Sequence, residues 1–424
     1  MIRFLFLCLF CLVLNATSLK DVILNTQNSE LANIKKYDVV KSELNKQNVL
    51  LGYLPSISIG GGYKTNSDEK LILRPKEINS IYAKLDFLIY DGGAREARIR
   101  ALSNLNQSEI YKNDEYKNYL SLNIVRLYYN ALSLVGIIKA KEGEKNYLSA
   151  TLERLKSFKD AGLGSSSEYE SILAKYYLSL SEELELKQKL NKIKNSINLL
   201  SNTDVSSFDF ISLKEPDYNI SSDKVQLKAM SKELFAIEDS IKESYSEYLP
   251  HIFLQNTFMY TKSKLGGSLN SNIAIFKSYA NDLLKEDWEK NNEFMIGFKW
   301  KIFDFGSNLK KIETQRVKKA QAMLNLNYKK RENELSLKNI KQEIQNLKDK
   351  ILANELYLKS SQTSLKAIDN KYKSGLVGYN DFLLSLANEF GAKSSLITAK
   401  NELEIKKAEY YFESGVDILE RIGF

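Results

Sequence analysis

Two hydrophobic periods alternate along this chain. Between residues 292 and 303 every second side chain is apolar: Phe294, Ile296, Phe298, Trp300 and Ile302 share one face, opposite Glu293, Met295, Gly297, Lys299 and Lys301. A period of two predicts a strand with one apolar and one polar face. The pattern returns near 80–90, where Ile81, Ala83, Leu85, Phe87 and Ile89 oppose Tyr82, Lys84, Asp86 and Tyr90. It returns near 52–66 with Ile57, Ile59 and Tyr63 against Ser56, Ser58 and Lys64. A fourth strand, near 249–262, sets Ile252, Leu254, Phe258 and Tyr260 against Gln255, Thr257 and Thr261, with Phe253 and Met259 out of pattern. After the last strand the period becomes seven. Leu337, Ile344, Ile351, Leu358, Leu365 and Tyr372 mark it, with Ile340, Leu347 and Ile368 between them and Asn354 and Ser361 as interruptions. Such a seam packs helix on helix.

The patterns come in duplicate. Tyr53-Leu54-Pro55 returns as Tyr248-Leu249-Pro250, and Tyr90-Asp91-Gly92-Gly93 as Phe303-Asp304-Phe305-Gly306. Gly162-Leu163 with Glu168 six residues after the Gly returns as Gly375-Leu376 with Asp381, at the same spacing of 213 residues that separates Asp91 from Asp304. Each half therefore reads as helix, strand pair, very long helix, tight turn, helix. The stretch from the second strand to Gly162 holds about 65 residues without proline, roughly 100 Å of helix at ~1.5 Å per residue. Asp91 and Asp304 are expected to cap the long helices where strand turns into helix. Gly162 and Gly375 end those helices in a left-handed turn, and Glu168 and Asp381 begin the return helices.

These patterns set the organisation. Residues 1–18 read as a signal peptide, 19–202 as the first repeat with its hairpin near 158–168, and 203–222 as an inter-repeat segment. Residues 223–415 form the second repeat with its hairpin near 373–379, and 416–424 a tail. Segments 65–80 and 263–291 read as surface loops.

Composition narrows the class. Arg3 followed by the apolar Phe4–Leu14 and the small residues Ala16-Thr17-Ser18 has the form of a secretory signal. Cys8 and Cys11 both lie inside it, so the exported chain carries no thiol chemistry. No later stretch approaches the ~18 consecutive apolar residues of a membrane helix. The net charge of +8 comes from Lys spread along helices, a solvated surface rather than a nucleic-acid footprint. His251 is the only histidine, which excludes His-based metal sites and Ser/His or Cys/His catalysis. No cofactor site and no enzyme chemistry stand out.

The strand lengths match the ~9–11 residues of a tilted membrane strand, and equally a soluble sheet with one wet face. Four strands cannot close a membrane barrel, whose smallest form has about eight. Open edges are not tolerated in lipid, so membrane strands here require several copies, and three would supply twelve strands.

Taken together these motifs resemble the TolC family of outer-membrane efflux channels. The resemblance rests on Leu54-Pro55-Ser56 and Leu249-Pro250 at strand openings and on the two strand-to-helix junctions. It also rests on Tyr372 to Leu376, a Tyr-x-x-Gly-Leu hairpin with Asp381 six residues after the Gly. It covers the whole mature chain. It implies a mainly α protein with membrane β: a homotrimeric twelve-stranded barrel in outer-membrane lipid, continued by a helical coiled-coil barrel across the periplasm. It also implies a duct that carries substrates from an inner-membrane transporter, through a periplasmic adaptor protein, to the exterior. The hairpins at Gly162-Leu163 and Gly375-Leu376 would dock the adaptor. Asp381 would face the closed periplasmic end, three copies forming a ring that attracts cations, and Tyr372 would bond Glu168 across the hairpins. Phe294, Phe298, Trp300 and Phe87 would face lipid. Many members carry a second acid one turn after the first, where this chain has Leu384, and some carry a basic residue where it has Val377. The alternative is an exported coiled-coil scaffold or adhesin without a pore.

Overall fold

The computed structural model describes residues 18–67, 75–161, 165–218, 224–265 and 287–423. The expected signal segment and the Gly162-Leu163 turn lie outside the described residues, Ser18 apart. The first half comprises α1 (Leu19–Gln27), α2 (Glu30–Leu51), β1 (Ser56–Thr65), β2 (Pro75–Tyr90), α3 (Ala94–Asp160) and α4 (Ser166–Ser201). From α2 onward it is repeated by α5 (Val225–Ser246), β3 (His251–Leu265), β4 (Trp288–Lys299), α6 (Ser307–Lys373) and α7 (Tyr379–Ser414).

The duplication holds residue for residue. The long helices α3 and α6 each have 67 residues, and the return helices α4 and α7 each have 36. Their first residues lie 213 apart in both cases, whereas α2 and α5, of 22 residues each, start 195 apart. The additional residues of the second half fall in β3 and in its connection to β4.

The chain folds into two compact units, one of Met1–Val39, Glu109–Ala229 and Leu326–Phe424, the other of Val40–Ser108 and Met230–Asn325. The second unit holds one antiparallel sheet in the order β1-β2-β3-β4. Its register pairs Ile59 with Ala83, Ala83 with Phe258, Phe87 with Leu254, and Leu254 with Ile296. Directly opposed residues share a face, so the apolar residues of all four strands lie together.

Three strand boundaries differ from the sequence expectation. β2 begins at Pro75 and β3 runs to Leu265, both inside stretches read as loops, and β4 spans Trp288–Lys299 rather than 292–303. Ladder chemistry explains the end of β4. The last pair is His251 with Lys299, and the next residue of β3 would be Pro250, which has no N–H to donate. Trp300, Lys301, Ile302 and Phe303 therefore lie past the strand end. The loop boundary near 291 shifts back accordingly, since residues 288–291 are paired.

Strand turns into helix through the same backbone device in both halves. Gly92 and Gly93 have φ of 71° and 81°, and Phe305 and Gly306 have 54° and 83°. The aspartates act three residues before their helices rather than at the cap itself. Asp91 Oδ2 accepts from the Arg95 backbone N–H at 3.1 Å and from its Nε–H at 3.1 Å. Asp304 accepts from Gly306 N at 3.0 Å and Asn308 N at 2.9 Å, satisfying donors that a helix start leaves open.

In the first unit α1, the middle of α3, the 203–213 segment and the end of α7 surround one core. It contains Val22, Ile23, Ile124, Val125, Tyr128, Tyr129, Ile197 and Leu213. Without 18 consecutive apolar residues, α3 still contains a window apolar enough, by mean composition, to cross a bilayer, and 44% of it is buried within the chain. Its apolar side chains are used for packing. Tyr128 Oη donates to Asp209 O at 3.1 Å and accepts from Asp209 N at 3.0 Å, which fixes the inter-repeat segment against α3. Elsewhere in the unit the α6 seam runs Asn333, Leu337, Ile340, Ile344, Leu347, Ile351, with Asn333, Ile340, Ile344 and Leu347 buried. Ser361, which interrupts the heptad in sequence, occupies a buried seam position.

Candidate functional site

The residues singled out for chemistry gather at the turns between long and return helices, all within the first unit. α6 ends at a left-handed Gly375, φ 73°, with Gly375 N bonded to Tyr372 O at 3.1 Å and Leu376 N to Lys371 O at 2.9 Å. This closure satisfies the last helical carbonyls and points the chain into α7. Asp381 is the third residue of α7 and Glu168 the third of α4, each in a first turn where a carboxylate is favoured by the helix dipole.

An aromatic cluster joins the two hairpins. Phe382 is fully buried and stacks on Tyr372, centroids 4.9 Å apart and planes at 9°. Tyr147 of α3 packs on the other side of Phe382 at 5.6 Å. The Arg154 guanidinium lies 4.9 Å from the Tyr372 ring centroid, a cation–π geometry, while its Nε is buried without a hydrogen-bond partner. The Tyr372 hydroxyl, held by this packing, donates to the Glu168 carboxylate. Burial first, and then the neighbouring Glu168 carboxylate, push the Tyr372 phenol well up from its ordinary value. Tyr147 is raised by burial and by its bond to Asp369, which also pairs with Lys373 at 2.6 Å. The arrangement is a clasp: a phenol fixed by stacking, with a carboxylate of the other hairpin as its acceptor.

Asp381 is exposed, and Leu384 and Leu376 are exposed at 63% and 74%. The structure thus brings Tyr372 and Glu168 together and leaves Asp381, Leu384 and Leu376 on the surface. Arg154, Tyr147 and Asp369 were not singled out from sequence. Tyr147 and Arg154 lie on α3 in the turns before the hairpin end, among many similar helix residues, and nothing local distinguishes them.

The sheet supplies a second functional surface, in the other unit. Ile57, Ile59, Phe294, Ile296 and Phe298 are all more than 60% exposed on one face, far beyond what a soluble sheet leaves bare. Phe87 lies on that face half-buried, and Phe258, opposite Ala83, is 45% exposed. Trp300 sits past the strand, where its indole N–H donates to Tyr248 O at 3.0 Å. On the polar face Asp86 pairs with Lys84 at 3.0 Å and accepts from Gln255 at 2.7 Å.

Residues 220–411 match the model of the Outer membrane efflux protein family. The similarity to that family lies in the second repeat. The outer membrane efflux fold extends well beyond it. The outer membrane protein VceC of Vibrio cholerae aligns over 94% of this chain and 96% of its own, with a TM-score of 0.79 at 12% identity. CusC aligns over 95% and 93%, with a TM-score of 0.80 at 15% identity. The Campylobacter jejuni CmeC outer membrane channel aligns over 94% and 86%, with a TM-score of 0.79 at 13% identity. No curated protein matches the sequence. The efflux-protein fold therefore covers both repeats, although the family model matches only the second.

Proposed function

We propose that the protein is the outer-membrane exit duct of a tripartite efflux or secretion system. Three copies form a twelve-stranded barrel in outer-membrane lipid, and their paired long helices form a periplasmic tunnel. The observation that carries this reading is the sheet. It carries one apolar face across all four strands, bare on β1 and β4, and among the described residues the outer edges of β1 and β4 are unpaired. In lipid an unpaired edge costs several kcal/mol per buried polar group, so the edges must meet those of other copies.

In this reading the polar sheet face lines the lumen, with Lys84, Asp86, Glu293 and Lys299 as a mixed lining. The hairpins at Gly162-Leu163 and Gly375-Leu376 dock a periplasmic adaptor, which couples the duct to an inner-membrane transporter. Asp381 and Leu384 stand at the periplasmic constriction, and the Tyr372–Glu168 clasp holds it closed. Conduction is passive; no enzyme chemistry, cofactor or metal is part of it. The chain is delivered by a signal peptide at 1–18.

The mass of the protein extracted from outer membranes in mild detergent tests this. A trimer is expected. A monomer, or protein found only in soluble fractions, overturns the duct in favour of a pore-less scaffold.

A further inference from the structure

The apolar face of the sheet changes character from one end to the other. Directly opposed residues share a face, so the register reads that face as rows across the strands. Nearest the junctions with α3 and α6 the rows are aliphatic and Phe: Ile252 opposite Phe298, then Phe87 opposite Leu254 and Leu254 opposite Ile296. At the far end Ile81 lies opposite Tyr260 and Tyr260 opposite Lys290. In the next row Tyr63 lies opposite Asn79, Asn79 opposite Lys262, and Lys262 opposite Trp288. Aromatic rings replace the aliphatic side chains there, and two lysines stand among them. From Ile252 to Lys262 the strand rises about 33 Å, which at the tilt of a membrane barrel matches its ~25 Å apolar band. Tyr63, Tyr260 and Trp288 thus stand at the height of an aromatic girdle, with Lys262 and Lys290 at the height of headgroups.

A groove starts at this end. Its volume is about 380 Å³, and Ile59, Ile81, Ala83, Phe258, Tyr260 and Trp288 line it. Ala83 creates it. The row of Ala83 sets Ile59 on one side and Phe258 on the other, and a methyl group between two large side chains leaves a trough. One wall is a continuous aromatic run, with 5.9 Å between the Phe258 and Tyr260 centroids and 6.3 Å between those of Tyr260 and Trp288. Lys290 holds its ammonium 5.4 Å from the Tyr260 ring centroid. Lys262 is its diagonal neighbour across the β3–β4 ladder, a spacing of ~7–8 Å from which two flexible ammoniums can grip one phosphate. The carboxylate of this face, Glu77, lies in the row beyond, opposite Lys264.

We propose that this groove retains a phosphorylated lipid of the outer leaflet, one acyl chain lying over Ala83 and the phosphate held between Lys262 and Lys290. Charge and shape together select the occupant. The trough is apolar along its length and cationic at one end, which suits hydrocarbon carrying an anionic headgroup and neither a neutral lipid nor a soluble ion. The inference rests on the membrane barrel proposed above, which sets this end of the strands outward because the other end leads into the periplasmic helices. It distinguishes a lipid held at one site from the fluid lipid that surrounds any barrel.

The test is native mass spectrometry of full-length protein purified from membranes in mild detergent, stripped of lipid and titrated with bisphosphorylated lipid A. Up to three lipids per trimer are expected, with the dephosphorylated form of the same lipid retained at least tenfold less. Lys262→Gln/Lys290→Gln should cut retention of the phosphorylated lipid tenfold or more. Lys64→Gln removes a charge at the same height from the opposite face and should leave retention unchanged. Ala83→Leu fills the trough and should displace the lipid with both lysines intact. Trimers that take up no lipid, or retain it equally in all these variants, overturn the lipid site and leave the duct standing. Retention lost in the lysine pair but kept in Ala83→Leu also overturns it, in favour of a phosphate site without an acyl groove. A monomer overturns both the site and the duct.

Discussion

The inter-repeat segment is held to α7 by a buried ion pair whose removal has a calculable consequence. Glu404 and Lys407 are 3% and 6% exposed. Their charged atoms lie 3.0 Å apart, and both reach the backbone of Leu213: Glu404 Oε2 accepts from its N–H at 2.7 Å, and Lys407 Nζ donates to its carbonyl at 3.3 Å. Replacing Glu404 by Gln keeps an acceptor for the Leu213 N–H but strips the ammonium of its nearest counter-charge. Lys407 retains Glu215 at 3.5 Å, itself 46% exposed. Breaking one side of a buried pair costs about 3–5 kcal/mol, and the remaining partners put this case near the lower end. About 3 kcal/mol is roughly a hundredfold in a local opening equilibrium.

Hydrogen exchange of the 208–214 amides reads that equilibrium directly. Glu404→Gln should lose roughly a hundredfold in protection there, with α3 and α4 amides remote from the pair unaffected. The double variant Glu404→Leu/Lys407→Met should lose less than the sum of the two single changes, because it removes both charges and leaves only the Leu213 groups to satisfy, about 1–3 kcal/mol each at most. Protection unchanged within about threefold in Glu404→Gln, or a double variant as poor as the sum of the singles, would refute the claim that this pair anchors the segment.

Tyr372→Phe keeps the Phe382 stack and deletes a hydrogen bond to a charged acceptor, about 1.5–3 kcal/mol, so single-channel recordings should show open probability rising tenfold or more; an unchanged closed state would remove the clasp from gating. A raised phenol contributes stability that is complete below the ordinary tyrosine value and lost only as pH climbs through the folded one. The clasp should therefore persist at about pH 10, where a typical phenol is half ionised, and the absorbance titration of Tyr372→Phe should differ from the parent only above that. Hydrogen bonds from Lys145 and Lys187 hold the Glu183 carboxyl below its ordinary value, so its contribution is present above about pH 4.3 and fades as pH falls further. Exchange along the facing parts of α3 and α4 should accelerate in that acid window and not above it. Gly92→Ala should destabilise by about 2 kcal/mol or more, since φ is 71° and its Cβ would lie 2.6 Å from Ser246 O. Phe305→Gly, at φ 54°, should be neutral or stabilising in a detergent melt, because it relieves about 1–2 kcal/mol of left-handed strain.

What could be read from the sequence divides along physical lines. Period two and period seven are local and repeat many times, so the strands and the α6 seam were legible, as was the end of α6 at Gly375. Strand limits were less so, because the alternation of 292–303 continues past the point where Pro250 ends the ladder on the neighbouring strand. The apolar window of α3 is no continuous apolar run for a related reason: its hydrophobic residues are interspersed with Ser, Asn and Tyr that the core also accommodates. The Tyr372–Glu168 meeting was anticipated from resemblance, but the residues that fix Tyr372 were not. Arg154, Tyr147 and Asp369 act through tertiary neighbours, and no spacing marks them.

The duplicated lengths also carry meaning through the positions that break them. A chain of two identical repeats would make the same contact within and between copies, and nothing would distinguish a surface used inside one chain from one joining two. Here the helix lengths are preserved while Tyr372 stands against Lys159, Glu168 against Asp381, and Leu356 against Gly143. The glycine allows close packing where both helices belong to one chain. The larger leucine stands exposed on α6. Exchange of these two positions is the sharpest check on that division. Gly143→Leu should disrupt the α3–α7 pairing and lower the stability of the isolated chain, whereas Leu356→Gly should leave the chain folded and weaken only association, seen as a shift from trimer to monomer on dilution in detergent.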